Sequence, residues 1–269
     1  MSDSQATREV LWNIRHVWVM YALLVPTLAV AGYGIYRRAR SWRRGGPDMR
    51  FDRPLARVAR LARYAILQSG VWRQAYAGTL HAMIFWGFII LTIATTVVMI
   101  DYDFGIPIMQ GKFYLYFQSL IVDVFGALAI VGIAMAGARR WIARPPQLVY
   151  TIEASALLLV ILAILVSGFL VEGWRIAATE DPWGAWSPMG YLVAAASRPL
   201  MSIDTMRSAH AITWWTHLAL VFGLLAWAPY TKLIHVVTST VNVYTSRLAP
   251  IGANLRQIDF EHAEKLGIN

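Results

Sequence analysis

The chain has 269 residues, 58% of them hydrophobic and 14% charged, with a mean hydropathy of +0.50. That composition excludes an ordinary soluble domain, in which about 25% of residues are charged. With no cysteine, disulfides, cysteine-ligated iron–sulfur clusters and thioether-attached haem are also excluded. The net charge of +9 comes from basic residues that cluster beside apolar runs, so it reads as membrane topology and not as nucleic-acid binding.

The N-terminal stretch MSDSQATREVLWNIRHVW lacks the short apolar core and small-residue cleavage site of a secretory signal, so the first span is expected to direct insertion. Apolar runs near the ~20 residues that cross a bilayer as helix then predict spans at 17–36, 77–100, 115–138, 149–171 and 209–237, the last bent at Pro229. None alternates apolar with polar as a spanning strand does. The expected fold is an all-α bundle of five transmembrane helices occupying 1–240, followed by a cytoplasmic tail or linker over 241–269.

Lys and Arg excess marks the cytoplasmic side. Eleven arginines lie between Arg37 and Arg73, three follow the third span (Arg139, Arg140, Arg144), and Lys232, Arg247, Arg256 and Lys265 follow the fifth. The opposite side carries six basic residues. This places the N-terminus outside and the C-terminus in the cytoplasm. Within the first cytoplasmic loop, RPLARVARLARYAIL gathers Arg53, Arg57 and Arg60 on one helical face, a pattern expected of a basic helix lying on lipid headgroups. The outer loop from Gly173 to Arg207, with Trp174, Trp183, Trp186 and Tyr191, reads either as an interfacial cap or as a lid over a lipid-soluble substrate.

Histidines within spans are costly in hydrocarbon and mark sites. His81 lies one turn inside the second span, and His217 and His235 lie in the fifth. If the fifth helix is straight, their spacing of eighteen residues puts both on one face about 27 Å apart. That is too far for one metal ion and suited to two sites stacked across the membrane. His210 falls near the same stripe. Two neutral imidazoles from facing helices can hold a b-type haem without cysteine, and His81 and His235 sit at matching depth. Gly87, Gly126 and Gly132 leave room either for a flat macrocycle or for a close helix neighbour. A haem-free transporter or membrane anchor is the alternative reading.

The stretches YAGTLHAMIFWGF, FYLYFQSLIVDVFGALAIVG, ARRWIARPP, SGFLVEGWRIA, WSPMGYLVA and WWTHLALVFGLLAWAPYTKLIHVV resemble the membrane cytochrome b family of respiratory nitrate reductase gamma subunits, in the branch joined to heterodisulfide-reductase-like, cysteine-rich iron–sulfur proteins. The resemblance implies five helices in a prokaryotic cytoplasmic membrane, up to two b haems, and electron exchange between a membrane quinone and a cytoplasmic iron–sulfur partner. It implies His81, His217 and His235 as haem-iron ligands. Where the nitrate-reductase branch has a second histidine ten residues after the first, this chain has Leu91, which leaves His217 without that partner. The tail RQIDFEHAEKLGIN resembles a linker toward a ferredoxin-like cysteine motif. Quinone chemistry couples electrons to protons, so Asp123 in the third span, with Glu172 and Arg175 at the outer end of the fourth, are candidate quinone-site residues. Their structural alternatives are a hydrogen bond between helices for Asp123 and an interfacial ion pair for the other two.

Overall fold

The protein is described by a computed structural model covering residues 6–43 and 50–248. Its helices in chain order are α1 (Trp18–Trp42), α2 (Pro54–Leu61), α3 (Ala75–Asp103), α4 (Gly111–Ala143), α5 (Ile152–Thr179), α6 (Pro188–Ser197), α7 (Ile203–Trp227) and α8 (His235–Thr245). No strand occurs among the described residues. Helices α1, α3, α4, α5 and α7, the last continued by a 3₁₀ turn to Tyr230, are long and apolar enough to cross a membrane. They are the five spans the sequence predicts. The chain forms two compact units, Met1–Gly45 with Gln68–Ile234, and Gly46–Leu67 with His235–Asn269. The spans belong to the first.

In hydrocarbon every backbone polar group must be satisfied within the segment, so these apolar runs become helices. Small residues then let them approach closely. A Cβ on Gly87 would lie 2.6 Å from the Ala129 Cβ and 2.9 Å from the Phe125 carbonyl oxygen. One on Gly132 would lie 2.9 Å from the Leu80 carbonyl oxygen, and one on Gly126 3.0 Å from the Phe169 ring. The glycines are therefore filled by neighbouring helices and do not open a slot for a macrocycle. Beside them Ala129, Ile133 and Leu165 form a core against which Ile84, Leu91 and Leu162 pack. Leu91, the departure from the nitrate-reductase pattern, is thus an apolar packing residue.

The fifth span ends sooner than its hydropathy predicts. Pro229 offers no N–H to continue the helix, and Thr231 is extended at φ −116°, ψ −176°. The break is held from outside. Arg38 Nε donates to the Pro229 carbonyl at 3.0 Å, and the Lys232 N–H donates to Glu153 Oε1 at 2.9 Å. A 3₁₀ turn over Lys232–Ile234 then leads to α8. His217 and His235 consequently do not share a straight helix, and the inference that both face one way fails with it.

At the other end of the bundle, where α3 finishes and α4 begins, the long loop after α5 folds into a cap. Trp183 and Trp186 pack on a core of Ala6, Val97, Met109, Tyr114 and Leu115. Thr7 Oγ1 donates to the Met109 carbonyl at 2.9 Å and ties the N-terminal segment to the same place. In the second unit α2 packs on α8 with Arg57 buried beneath it. The sequence instead suggested a basic face turned to headgroups. The stretch after residue 248, including the EHAEKLG tail, lies outside the described residues.

Candidate functional site

Asp123 stands just after a stretch of α4, Tyr114–Ile121, wound as wide π turns of the kind often found at functional positions. It is 2% exposed. Oδ2 accepts the Met189 N–H at 2.9 Å and Oδ1 accepts the Gly190 N–H at 3.0 Å. These amides belong to the first turn of α6, whose own N-cap, Ser187, makes no capping bond. A carboxylate from a neighbouring span therefore satisfies donors that a helix start leaves orphaned. The Ser187 hydroxyl is directed elsewhere and donates to Glu172 Oε1 at 3.0 Å. Gly190 permits this closeness, since a Cβ there would meet Glu172 Cγ at 2.9 Å.

Glu172 also faces two guanidinium groups, Arg8 Nη1 and Arg175 Nη2, each 3.8 Å from Oε1. The tight partner of Arg175 is Asp181, whose Oδ2 accepts from Nη1 at 2.7 Å. Asp181 is itself fixed by the Trp183 N–H, which donates to Oδ1 at 2.9 Å. The expected Glu172–Arg175 contact is present but secondary. Sequence reasoning missed Asp181, Ser187 and Arg8. Only Asp181 had a local signal, in the turn TEDPW just beyond α5, where Glu180 takes a left-handed conformation at φ 48°.

Buried polar atoms in native folds are nearly always hydrogen-bonded. At this end Arg175 Nε, His210 Nδ1 and Gln118 Oε1 are buried without a partner. His210 is 3% exposed, and its ring meets the Trp12 ring edge-on at 4.9 Å between centroids. The structure thus brings Asp123, Glu172, Arg175 and His210 to one end of the bundle and leaves unspent hydrogen-bonding capacity among them.

Two of the predicted haem ligands have a polar side chain at Nδ1. His217 Nδ1 lies 2.9 Å from Ser167 Oγ, and that hydroxyl donates its one proton to the Ile164 carbonyl at 3.0 Å. With the hydroxyl proton on that carbonyl, Nδ1 donates to Oγ and the lone pair is on Nε2, a tautomer assigned from the hydrogen-bond pattern. Gly168 gives the ring its room, since a Cβ there would meet Cε1 at 3.4 Å. His81 repeats the arrangement. Its Nδ1 lies 2.9 Å from Gln68 Oε1; with the Gln68 amide in this orientation, which leaves Gln68 Nε2 buried without a partner, Nδ1 donates and the lone pair is on Nε2. Gln68 is 3% exposed and sits at φ 53°, a left-handed backbone that turns its side chain toward His81. Neutral imidazole with Nδ1–H held by a second group is the form that ligates a metal. His81 and His217 therefore fit as residues that would hold a haem iron. Among the described residues no cluster of three or more His, Cys, Asp or Glu could hold a bare metal ion. His235 opens α8 in the second unit and is exposed.

Comparison with known proteins places these features in context. The family described as nitrate reductase gamma subunit matches residues 84–249. An EtfAB:quinone oxidoreductase of Syntrophomonas wolfei subsp. wolfei is 33% identical over 267 residues, covering 95% of this chain and 37% of that protein. A probable iron-sulfur-binding oxidoreductase, FadF, of Bacillus subtilis is 23% identical over 201 residues, covering 74% of this chain and 28% of that protein. The chain thus spans well under half the length of either relative. No solved structure matches it.

Proposed function

Because the chain belongs to the nitrate reductase gamma subunit family, we propose that this multi-pass membrane protein is a b-type cytochrome subunit that exchanges electrons between a membrane quinone and a cytoplasmic iron–sulfur oxidoreductase. The observation that carries the reading is the oriented ring of each span histidine, with a second group 2.9 Å from Nδ1. Gln68 Oε1 at His81 and Ser167 Oγ at His217 suit an Nδ1–H donor, the tautomer that leaves Nε2 for iron. The chemistry a bound haem b supplies is one-electron transfer within the bilayer interior. His81 and His217 would each ligate a haem iron through Nε2, at separate sites. His235, at the third position matching the family pattern, is proposed as a ligand on that match alone.

The quinone is proposed to bind at the Asp123 end. Quinone reduction to quinol takes two electrons and two protons, so its site needs donors to the carbonyl oxygens and groups that exchange protons. Arg175 Nε is a buried donor with no acceptor, and His210 Nδ1 is a buried nitrogen with no partner. Glu172 and Asp181 hold the guanidinium in place, while Asp123 fixes the start of α6 over the site. The charge asymmetry of the loops supports placing this end outside and the C-terminus in the cytoplasm. There, in the absence of cysteine, an iron–sulfur partner is needed to carry electrons onward, either as another chain or as a further part of a longer one.

The test is reduction by a quinol analogue. Added to purified, haem-loaded protein, it should reduce b-type haem in the visible spectrum. Arg175→Lys should keep the haem and slow the reduction. A haem-loaded protein that dithionite reduces and no quinol analogue does would refute the quinone half of the reading. A protein with no b-type signal would favour the alternative, a haem-free transporter or membrane anchor.

A further inference from the structure

Helix α2 has two chemically distinct faces, and the structure reverses the orientation its sequence suggests. Arg57 is 3% exposed. Its Nη1 donates to the Tyr244 and Ser246 carbonyls, both at 2.9 Å, while Nε donates to the Asp52 carbonyl at 2.7 Å and Nη2 to Asp52 Oδ1 at 2.6 Å. Arg60 Nη1 donates to the Arg247 carbonyl at 2.7 Å, and Arg50 Nη1 to the Thr245 carbonyl at 3.3 Å. The carbonyls of Tyr244, Thr245, Ser246 and Arg247 end α8 and the turn beyond it. They are the orphan acceptors and negative dipole end of a helix, which guanidinium groups satisfy. The arginine face of α2 is therefore committed to α8.

The apolar face is what remains outside. Leu55 is 85% exposed, Leu67 66%, Val58 53% and Ile66 45%. Phe51, at the start of the segment, is 70% exposed, and on α8 Val237 and Val241 are each 48% exposed. Leu55 and Val58 on α2, with Ala62 and Ile66 on the wide π turns of Ala62–Ile66 that continue it, recur three or four residues apart, so they form a stripe and not scattered single residues. The chain itself says what covers it. α2 lies in sequence between the end of span α1 at Trp42 and the start of span α3 at Ala75, so it is tethered on both sides to membrane boundaries. Exposed cations flank the stripe, Arg53 at its start and Arg63 along it, with Tyr64 beside them, the arrangement that suits anionic headgroups next to acyl chains.

We infer that the α2–α8 unit rests on the bilayer surface, with Leu55, Val58 and Ile66 dipped into the boundary between headgroups and acyl chains and Arg53 and Arg63 at the level of the phosphates. The partner is an anionic lipid surface. Arg57 does not touch it and instead clasps α8 to the inserted helix. This differs from a basic face laid on headgroups in a way that can be measured.

The absence of cysteine makes the experiment clean. Single variants Leu55→Cys, Val58→Cys and Phe51→Cys in the full chain take a nitroxide label and go into vesicles of phosphatidylcholine with phosphatidylglycerol. At each position the label should collide with oxygen, which concentrates in acyl chains, several-fold more readily than with a water-soluble nickel chelate. Arg53→Gln with Arg63→Gln should raise nickel access at Leu55→Cys, whereas Arg57→Gln should leave it low. A label open to nickel and not to oxygen would mean that the stripe faces water. A label closed to both would mean that protein covers it, either a soluble partner or a second copy. Either result overturns the inference. If one variant fails to fold, the other two positions still decide.

Discussion

Replacing Asp123 with asparagine is the sharpest test of how the capped end is built. The carboxylate accepts two backbone N–H groups, from Met189 at 2.9 Å and Gly190 at 3.0 Å, in a site where it is 2% exposed. The substituted side chain would keep one acceptor oxygen, but its amide nitrogen would face the other N–H, donor against donor. The change removes a charge-assisted bond and leaves a buried donor unmet, together about 3 kcal/mol. Because both donors sit in the first turn of α6, the loss should appear as local opening there and not as global unfolding. Hydrogen–deuterium exchange should therefore quicken about a hundredfold in the peptide from Ser187 to Ala194, with exchange in α3 unchanged. Haem content should stay the same while quinone turnover falls. Unchanged protection at Met189 and Gly190 would refute the cap. Altered exchange with turnover unaffected would leave the cap standing and remove Asp123 from the quinone site.

Other outcomes follow from the same contacts. Ser167→Ala should leave haem content near normal and raise the midpoint potential of the haem that His217 is proposed to ligate. The Nδ1–H···Oγ bond that makes the ligand more basic would be gone; an unmoved potential in a redox titration would argue against ligation there. Gly87→Ala should lower thermal stability by about 1–3 kcal/mol, because the new methyl would meet Ala129 and the Phe125 carbonyl, whereas Gly223→Ala, with nothing within 4 Å, should be neutral. The hydrogen bond from Arg57 holds the Asp52 carboxyl below its ordinary range. A depressed carboxyl contributes stability that is present above its unfolded value near pH ~3.9 and lost as pH falls through the folded value. Protease resistance of the α2–α8 unit should thus be flat at neutral pH and decline only in acid, and Asp52→Asn should abolish that acid dependence.

The spans were legible because an apolar run of sufficient length has few options in a bilayer. Pro229 announced a bend locally, whereas the fourth span was expected to end at 171 and runs on to Thr179. What stayed hidden depends on partners distant in sequence. Pro229 suggests a bend, but the break after Tyr230 also needs Glu153 to receive the Lys232 N–H, a contact 79 residues apart. His217 could be marked as a costly intramembrane residue, yet the group that meets its Nδ1 is Ser167, 50 residues earlier in the chain. The two faces of α2 were visible as a pattern, but a pattern does not say which face is inward. That was decided by the unsatisfied carbonyls at the end of α8. The glycines of α3 and α4 carried the same ambiguity, and close helix packing resolved it. Asp181 illustrates a different limit, since the i,i+3 rule favoured Glu172 for Arg175 while the better-placed carboxylate lay past the end of the helix.

The central claim is that the span histidines hold b-type haem, and haem content tests it most directly. Protein purified from haem-replete cells should give a pyridine haemochrome of non-covalent b type. At least one haem per chain is expected, with a loss in His217→Ala and a separate loss in His81→Ala. Wild-type protein without a b-type signal, or both variants with full haem content, would contradict the account.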